Sequence, residues 1–165
     1  MRIDGTFAHP QATVAEVFAM LSDEAFQKRK CDATGALSST VEVNGDADRP
    51  VITSFRRMST EGLSDLVRRF VKDWIDIEEI VAWGAAAADG SRSSDVKVSF
   101  VGQPVKMAAT MTIRPSGTGT TGKLVGELKV SIPLIGGKVE SATAPLILKA
   151  LAIEETVGRE WLGES

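Results

Sequence analysis

The sequence predicts an α+β domain in which about seven strands precede one long C-terminal helix, with two short N-terminal helices and a short helix inserted in the sheet region. Three observations carry this. Stretches such as "DVKVSFVG" and "PVKMAATMTI" alternate apolar and polar residues with period two. Turn-rich links, "NGDADR" and "PSGTGTTG", join such stretches at hairpin spacing. After "VSIPLIGGKVE" the apolar period becomes helical for most of the remaining chain.

In chain order, "RIDGTF" reads as a strand, and "HPQATVAEVFAMLSD" then brings Val14, Val17, Phe18 and Leu21 to helical spacing. Thr13 can cap that helix, with Glu16 three residues on closing a capping box. A second helix covers "DEAFQKRKC" and ends near Gly35, after which "LSSTVEV" and "PVITSFRRM" form a hairpin. "LSDLVRRFVKDW" interrupts the sheet pattern, since Leu63, Leu66, Val67, Phe70 and Val71 fall on one helical stripe. Alternation returns in "WIDIEEIVAW", with Ile75, Ile77, Val81 and Trp83 on one face and Glu79 among them.

The next strands send Val96, Val98 and Phe100 one way, then Val105, Met107, Ala109, Met111 and Ile113. In "KLVGELKVSI", Leu124, Leu128, Val130 and Ile132 oppose Lys123, Glu127 and Lys129. The terminal helix gathers Val139, Leu146, Ala150, Ile153, Val157 and Trp161 on the face a sheet would receive. Pro145 inside this pattern predicts a kink or a one-turn break.

A chain of 165 residues is one domain by length, here 1–165, and long enough for a core without disulfides or metals. Its 43% hydrophobic and 25% charged residues are those of a soluble protein. A net charge of -3 argues against a nucleic-acid partner. Cys31 is the only cysteine, which excludes an internal disulfide, suits a reducing compartment and is read as a structural thiol. No apolar run approaches a membrane span, and "MRIDGTF" lacks the apolar core of a secretory signal, so the expectation is a cytoplasmic protein with no stable membrane insertion.

Gly136 and Gly137 in "VSIPLIGGKVE" pose a choice between a phosphate cradle and a hinge. Lys138 is followed by Val139, so neither a P-loop nor a dinucleotide fingerprint is present, and the hinge reading is preferred. That stretch resembles the sheet-to-helix joint of bacterial START-like (SRPBCC) proteins, and "HPQATVAEVFAMLSDEAF" resembles their opening. With the inserted helix before "DWIDIEEIVAWG" and the closing "REWL", the whole chain is similar to a bacterial family of unknown function within that superfamily, which also includes polyketide cyclases and lipid-transfer domains. The resemblance implies a helix-grip fold, a curved antiparallel sheet wrapped around the terminal helix. It implies no reaction and no catalytic residue.

Such a sheet and helix leave room for a cavity, and the inward sets are apolar with small residues at Ala109 and Gly126. The candidate lining is Phe55, Arg57, Phe70, Ile77, Glu79, Val81, Trp83, Val98, Phe100, Met107, Met111, Leu128, Leu146 and Ala150. Alternatively, Trp83, Phe100, Met107 and Met111 simply pack on the helix as core. Glu79 is the polar anomaly, and Arg57 on the preceding strand is its expected partner; otherwise Glu79 sits solvated at a rim. Glu154 reads as a rim residue.

His9 is the only histidine, which disfavours a Ser–His or multi-histidine metal site and leaves it shaping the start of the first helix. No metal, nucleotide or other cofactor is expected. Three functions remain open. One is carriage of a small hydrophobic or lipid-like molecule, with Leu66, Phe70 and Val71 as a lid. Another is a cofactor-independent cyclase using Glu79, Arg57 or His9. The last is an interaction module with a filled core that presents Leu148 and Leu151 outward. Monomer and homodimer are equally open.

Overall fold

The computed structural model of the chain describes residues 1–164. Its strands are β1 (Arg2–His9), β2 (Ser38–Gly45), β3 (Pro50–Ser59), β4 (Trp74–Trp83), β5 (Arg92–Phe100), β6 (Val105–Ser116) and β7 (Gly119–Val130). The helices are α1 (Val14–Leu21), α2 (Glu24–Ala33), α3 (Asp65–Arg68) and α4 (Gly136–Trp161). All seven strands form one open antiparallel sheet in the order β1-β7-β6-β5-β4-β3-β2, curved around α4 in the START-like helix-grip arrangement.

Local sequence accounts for the helix starts. Thr13 and Glu16 form the reciprocal capping box, with Thr13 N–H donating to Glu16 Oε2 at 2.7 Å and Glu16 N–H to Thr13 Oγ1 at 3.3 Å. Asp23 caps α2 by accepting from Phe26 N–H. Val14, Val17, Phe18 and Leu21 are all buried.

The inward residues form rows across the sheet, set by register. Ile77 pairs with Phe100; Glu79 with Val98 and Val98 with Met107; Val81 with Val96; Trp83 with Ser94 and Ser94 with Met111. α4 covers the β1 and β7 side, and α2 bridges from α4 to β2. The middle of the sheet is therefore the part least covered by helix.

The fold departs from the sequence expectations in four places. Of the kink or one-turn break expected at Pro145 the break does not occur, because α4 runs unbroken through it. Leu148 and Leu151 do not form an outward pair: Leu151 is buried, and both lean over Gly5 on β1, where an added Cβ would stand 2.6 Å from Leu151 Cδ2 and 3.0 Å from Leu148 Cδ2. The small residues Ala109 and Gly126 make no void, because a Cβ on Gly126 would meet Ala108 O at 2.3 Å and Ala109 Cβ at 2.4 Å. Their smallness lets β6 and β7 approach.

The inserted helix is the fourth. It is a single turn, Asp65–Arg68, without a side-chain cap at Ser64. Thr60 closes the ends of its loop, donating N–H to Asp73 O at 3.1 Å and its hydroxyl to Lys72 O at 2.6 Å. So short a span, clamped at both ends, favours a compact loop over the longer helix its apolar stripe suggests.

Candidate functional site

Between the middle of the sheet and α4 lies a cavity of about 570 Å³. Its floor is built from the inward rows: Ile75, Ile77, Glu79, Val81 and Trp83 on β4, Val96, Val98 and Phe100 on β5, and Met107 and Met111 on β6. α4 supplies the roof with Leu146, Ile147, Ala150, Leu151 and Glu154, which recur at helical spacing. The exposed lining residues Gly35, Glu61, Gly62, Leu146 and Lys149 mark the mouth, between the end of α2, the loop carrying α3 and the first half of α4. The lining is predominantly apolar.

One wall carries charge. Lys30 on α2, 4% exposed, places Nζ 2.8 Å from Glu79 Oε1 on β4 and 3.0 Å from Glu154 Oε2 on α4. Burial by itself would raise the Glu79 pKa, but the Lys30 ammonium and the nearby Arg56 guanidinium outweigh it and hold the carboxyl at about 2. Burial likewise works against the Lys30 charge, and Glu154 and Glu79 overcome it, so the ammonium is held above its ordinary range. Three elements are thus joined by one ionised cluster facing an apolar space.

Of the residues singled out from sequence, Ile77, Glu79, Val81, Trp83, Val98, Phe100, Met107, Met111, Leu146 and Ala150 line this cavity. Phe55, Arg57, Phe70 and Leu128 do not. On β3 the inward set is Ile52, Ser54, Arg56 and Met58, with polar and apolar residues on both faces, so parity could not be read from hydropathy. Phe55 and Arg57 consequently face out, and Arg57 makes a two-pronged ion pair with Asp76 at 2.8 and 2.9 Å while stacking on Trp74. Glu79 is paired with Lys30 and not with Arg57. Phe70 is 40% exposed, and the apolar side chains of this loop that reach the cavity are Leu63 and Val67. Leu128 is core, 1% exposed.

His9 lies apart from the cavity, buried against α4 with Nδ1 2.7 Å from Glu164 Oε1. Glu79, Arg57 and His9 therefore occupy three separate places. Glu154 is buried, not a rim residue. Lys30 was missed, although Phe26, Gln27, Lys30 and Cys31 share one helical face and all are buried. Arg56, also missed, lines the cavity, and its guanidinium makes no ion pair or side-chain hydrogen bond among the described residues. Among those residues no group of His, Cys, Asp or Glu could hold a metal ion, and no helix is long and apolar enough to cross a membrane.

The DUF2505 profile, described as a protein of unknown function, matches residues 6–162, and the chain belongs to that family. No curated protein matches the sequence significantly. Among solved structures, TTHA0849 of Thermus thermophilus is similar at 15% identity and a TM-score of 0.64, over 97% of this chain and 95% of that one. Human STARD10 aligns at 9% identity and a TM-score of 0.64, over 98% of this chain and 64% of its own. A STAR-related lipid transfer protein from Xanthomonas axonopodis aligns at 16% identity and a TM-score of 0.59, over 94% and 84%. These likenesses show a START-like fold.

Proposed function

We propose that this member of the DUF2505 family binds and carries a small hydrophobic or lipid-like molecule between its sheet and α4. The supporting observation is the cavity itself: about 570 Å³, lined mainly by apolar side chains and opening beside a loop. Ligand sites fall in the range of about 300–1,000 Å³ and combine apolar walls with a few placed polar groups. The Xanthomonas neighbour, named for lipid transfer, sets that activity on the same fold, an analogy that supports the reading without carrying it. Acid–base chemistry at Glu79 is less well supported, because a carboxylate held at about 2 is a weak base at neutral pH.

The test is native mass spectrometry of freshly purified protein together with titration of an apolar fluorescent probe. A co-purified lipid-sized mass and saturable probe binding are expected. Val98→Trp, which adds bulk in the middle of the floor, should abolish probe binding in a protein that still unfolds cooperatively. Equal probe binding by the wild type and a folded Val98→Trp variant would overturn the assignment.

A further inference from the structure

The two ends of the sheet differ. β3 leaves the sheet at Ser59 and β4 enters it at Trp74, directly opposite; β5 ends at Phe100, and β6 begins at Val105, which pairs with Val130 at the end of β7. Ser38, at the start of β2, pairs with Arg57. The connections 60–73, 101–104 and 131–135 and the approach to β2 at 34–37 therefore share one end, where Gly35, Glu61 and Gly62 mark the cavity mouth. Each exposes one large apolar side chain: Leu37 at 63%, Phe70 at 40%, Val101 at 53%, and Leu134 wholly. At the opposite end the connections 46–49, 84–91 and 117–118 carry no large apolar residue and hold Asp46, Asp48 and Asp89 instead.

Leu134 is the extreme case. Among the described residues it is the one non-glycine with positive φ, at 69°. That region disfavours a side chain and water disfavours leucine, so neither backbone preference nor solvation accounts for its position. Charge is biased toward the same end. The loop carrying α3 balances itself, with Glu61, Asp65 and Asp73 against Arg68, Arg69 and Lys72. Lys106 and Lys129, however, face each other on the outer surface where β6 begins and β7 ends, and Lys138 lies in the first turn of α4. All three are exposed, and none makes an ion pair among the described residues. Glu127 on β7 and Glu140 on α4 are met by the Met1 ammonium. On a chain of net charge -3, this end thus has an excess of unpaired cations.

We propose that this end of the molecule docks on a membrane surface containing anionic lipid, with Leu37, Phe70, Val101 and Leu134 seated just below the headgroups and Lys106, Lys129 and Lys138 against the phosphates. From β2 to β7 the arc of strand ends is about 24 Å long, five spacings of about 4.8 Å. Apolar side chains spread singly along such an arc form no groove for a protein segment. A bilayer takes them one at a time to a shallow depth while lysines stay with the headgroups. Such contact needs no spanning helix. It goes beyond the carriage reading, and it sets the cavity mouth against a surface that holds apolar molecules.

The test is flotation with vesicles of phosphatidylcholine alone and of phosphatidylcholine with phosphatidylglycerol in equal parts, at about 0.1 M salt. A lysine near an anionic surface contributes about fivefold, so binding to the mixed vesicles should exceed binding to phosphatidylcholine by about tenfold or more and fall in about 1 M salt. The double variant Val101→Asp with Leu134→Asp changes side chains that stand mostly in water, and aspartate tolerates positive φ better than leucine, so the fold should hold. Its binding to the mixed vesicles should drop about tenfold or more. Lys106→Glu with Lys129→Glu should remove the anionic-lipid increment, whereas Val43→Asp, exposed toward the opposite end, should bind within about twofold of the wild type. Titration of an apolar probe against the same variants scores carriage separately and should be unchanged. No wild-type binding to the mixed vesicles, equal binding to both compositions, or binding that Val101→Asp with Leu134→Asp leaves intact overturns the docking surface, and the probe titration still decides carriage. Self-association of the wild type without vesicle binding, abolished in that double variant, also overturns it and makes the apolar residues an interface between copies of the chain.

Discussion

The Lys30 ammonium on α2 and the Glu79 carboxylate on β4 meet at 2.8 Å across 49 positions of sequence, inside the wall of an apolar cavity. Glu154 completes the cluster from α4. Removing one member of a buried ion pair leaves an uncompensated charge, which typically costs about 3–5 kcal/mol. Lys30→Met should therefore lower stability by about that amount, measured by chemical denaturation at neutral pH. A loss under about 1 kcal/mol would show that the cluster is solvated through the mouth.

The pH dependence has a definite sign. Glu79 has a folded pKa of about 2, below its ordinary 4.5, so its contribution is present above about 4.5 and disappears as pH falls toward 2. Lys30 is shifted upward, so its contribution is complete below its ordinary 10.5 and is lost only in strong alkali. The wild type should lose stability between about pH 4.5 and 2. In Lys30→Met the buried Glu79 keeps only Arg56 of the two cations that offset its burial, which raises its folded pKa, so that variant should lose less stability than the wild type on acidification. Parallel melting curves for the two proteins across this range would contradict the cluster.

How much of this was legible from sequence varied with the element. β4 could be read directly, because Ile75, Ile77, Val81 and Trp83 make one face plain and Glu79 stands out against it. β3 could not, since Phe55 on one face and Ile52 on the other give both faces an apolar residue; a slip of one position exchanges Arg56 for Arg57. Lys30 was hidden for a different reason. Lysine is rarely buried, and only the meeting of three elements makes that position tolerable for a charge. The loop over the mouth misled because an apolar stripe states which residues seek burial, whereas helix length here was limited by the clamp at Thr60.

Gly136 and Gly137 should separate cleanly. A Cβ on Gly136 would stand 2.4 Å from Val130 O, at the corner where β7 gives way to α4, whereas a Cβ on Gly137 meets nothing within 4 Å. Gly136→Ala is expected to destabilise the protein, since backbone must shift to admit it. Gly137→Ala should be neutral or stabilising by up to about 1 kcal/mol, as alanine loses less conformational freedom in a helix. The hinge is therefore the first glycine alone. Equal melting temperatures for the two variants would refute this.

Phe70 is the residue that the sequence would make a lid. Its 40% exposure and its absence from the cavity wall predict a small effect: Phe70→Ala should change stability by about 0.5 kcal/mol or less and leave the exchange rate of an apolar probe unaltered. Val67 lines the mouth, and Val67→Trp should slow both uptake and release. Stopped-flow exchange on both variants distinguishes the two positions. Faster exchange in Phe70→Ala would restore it to the gate.

His9 and Glu164 form a second buried polar contact, remote from the cavity. The Glu164 carboxylate meets His9 Nδ1 at 2.7 Å with one oxygen and accepts Gln11 N–H at 2.9 Å with the other, and the two side chains are 1% and 3% exposed. Glu164→Ala leaves His9 enclosed with that nitrogen unpaired, at a cost of about 1–3 kcal/mol. Glu164→Gln retains one carbonyl oxygen and so can keep one of the two bonds, which should make it the milder change. Because neither residue lines the cavity, both variants should bind an apolar probe as the wild type does wherever they are folded. Denaturation and probe titration on the pair of variants decide the matter. Probe affinity falling in proportion to stability would tie His9 to the ligand site, and an unchanged melting temperature in Glu164→Ala would show that the contact contributes nothing to holding α4 against β1.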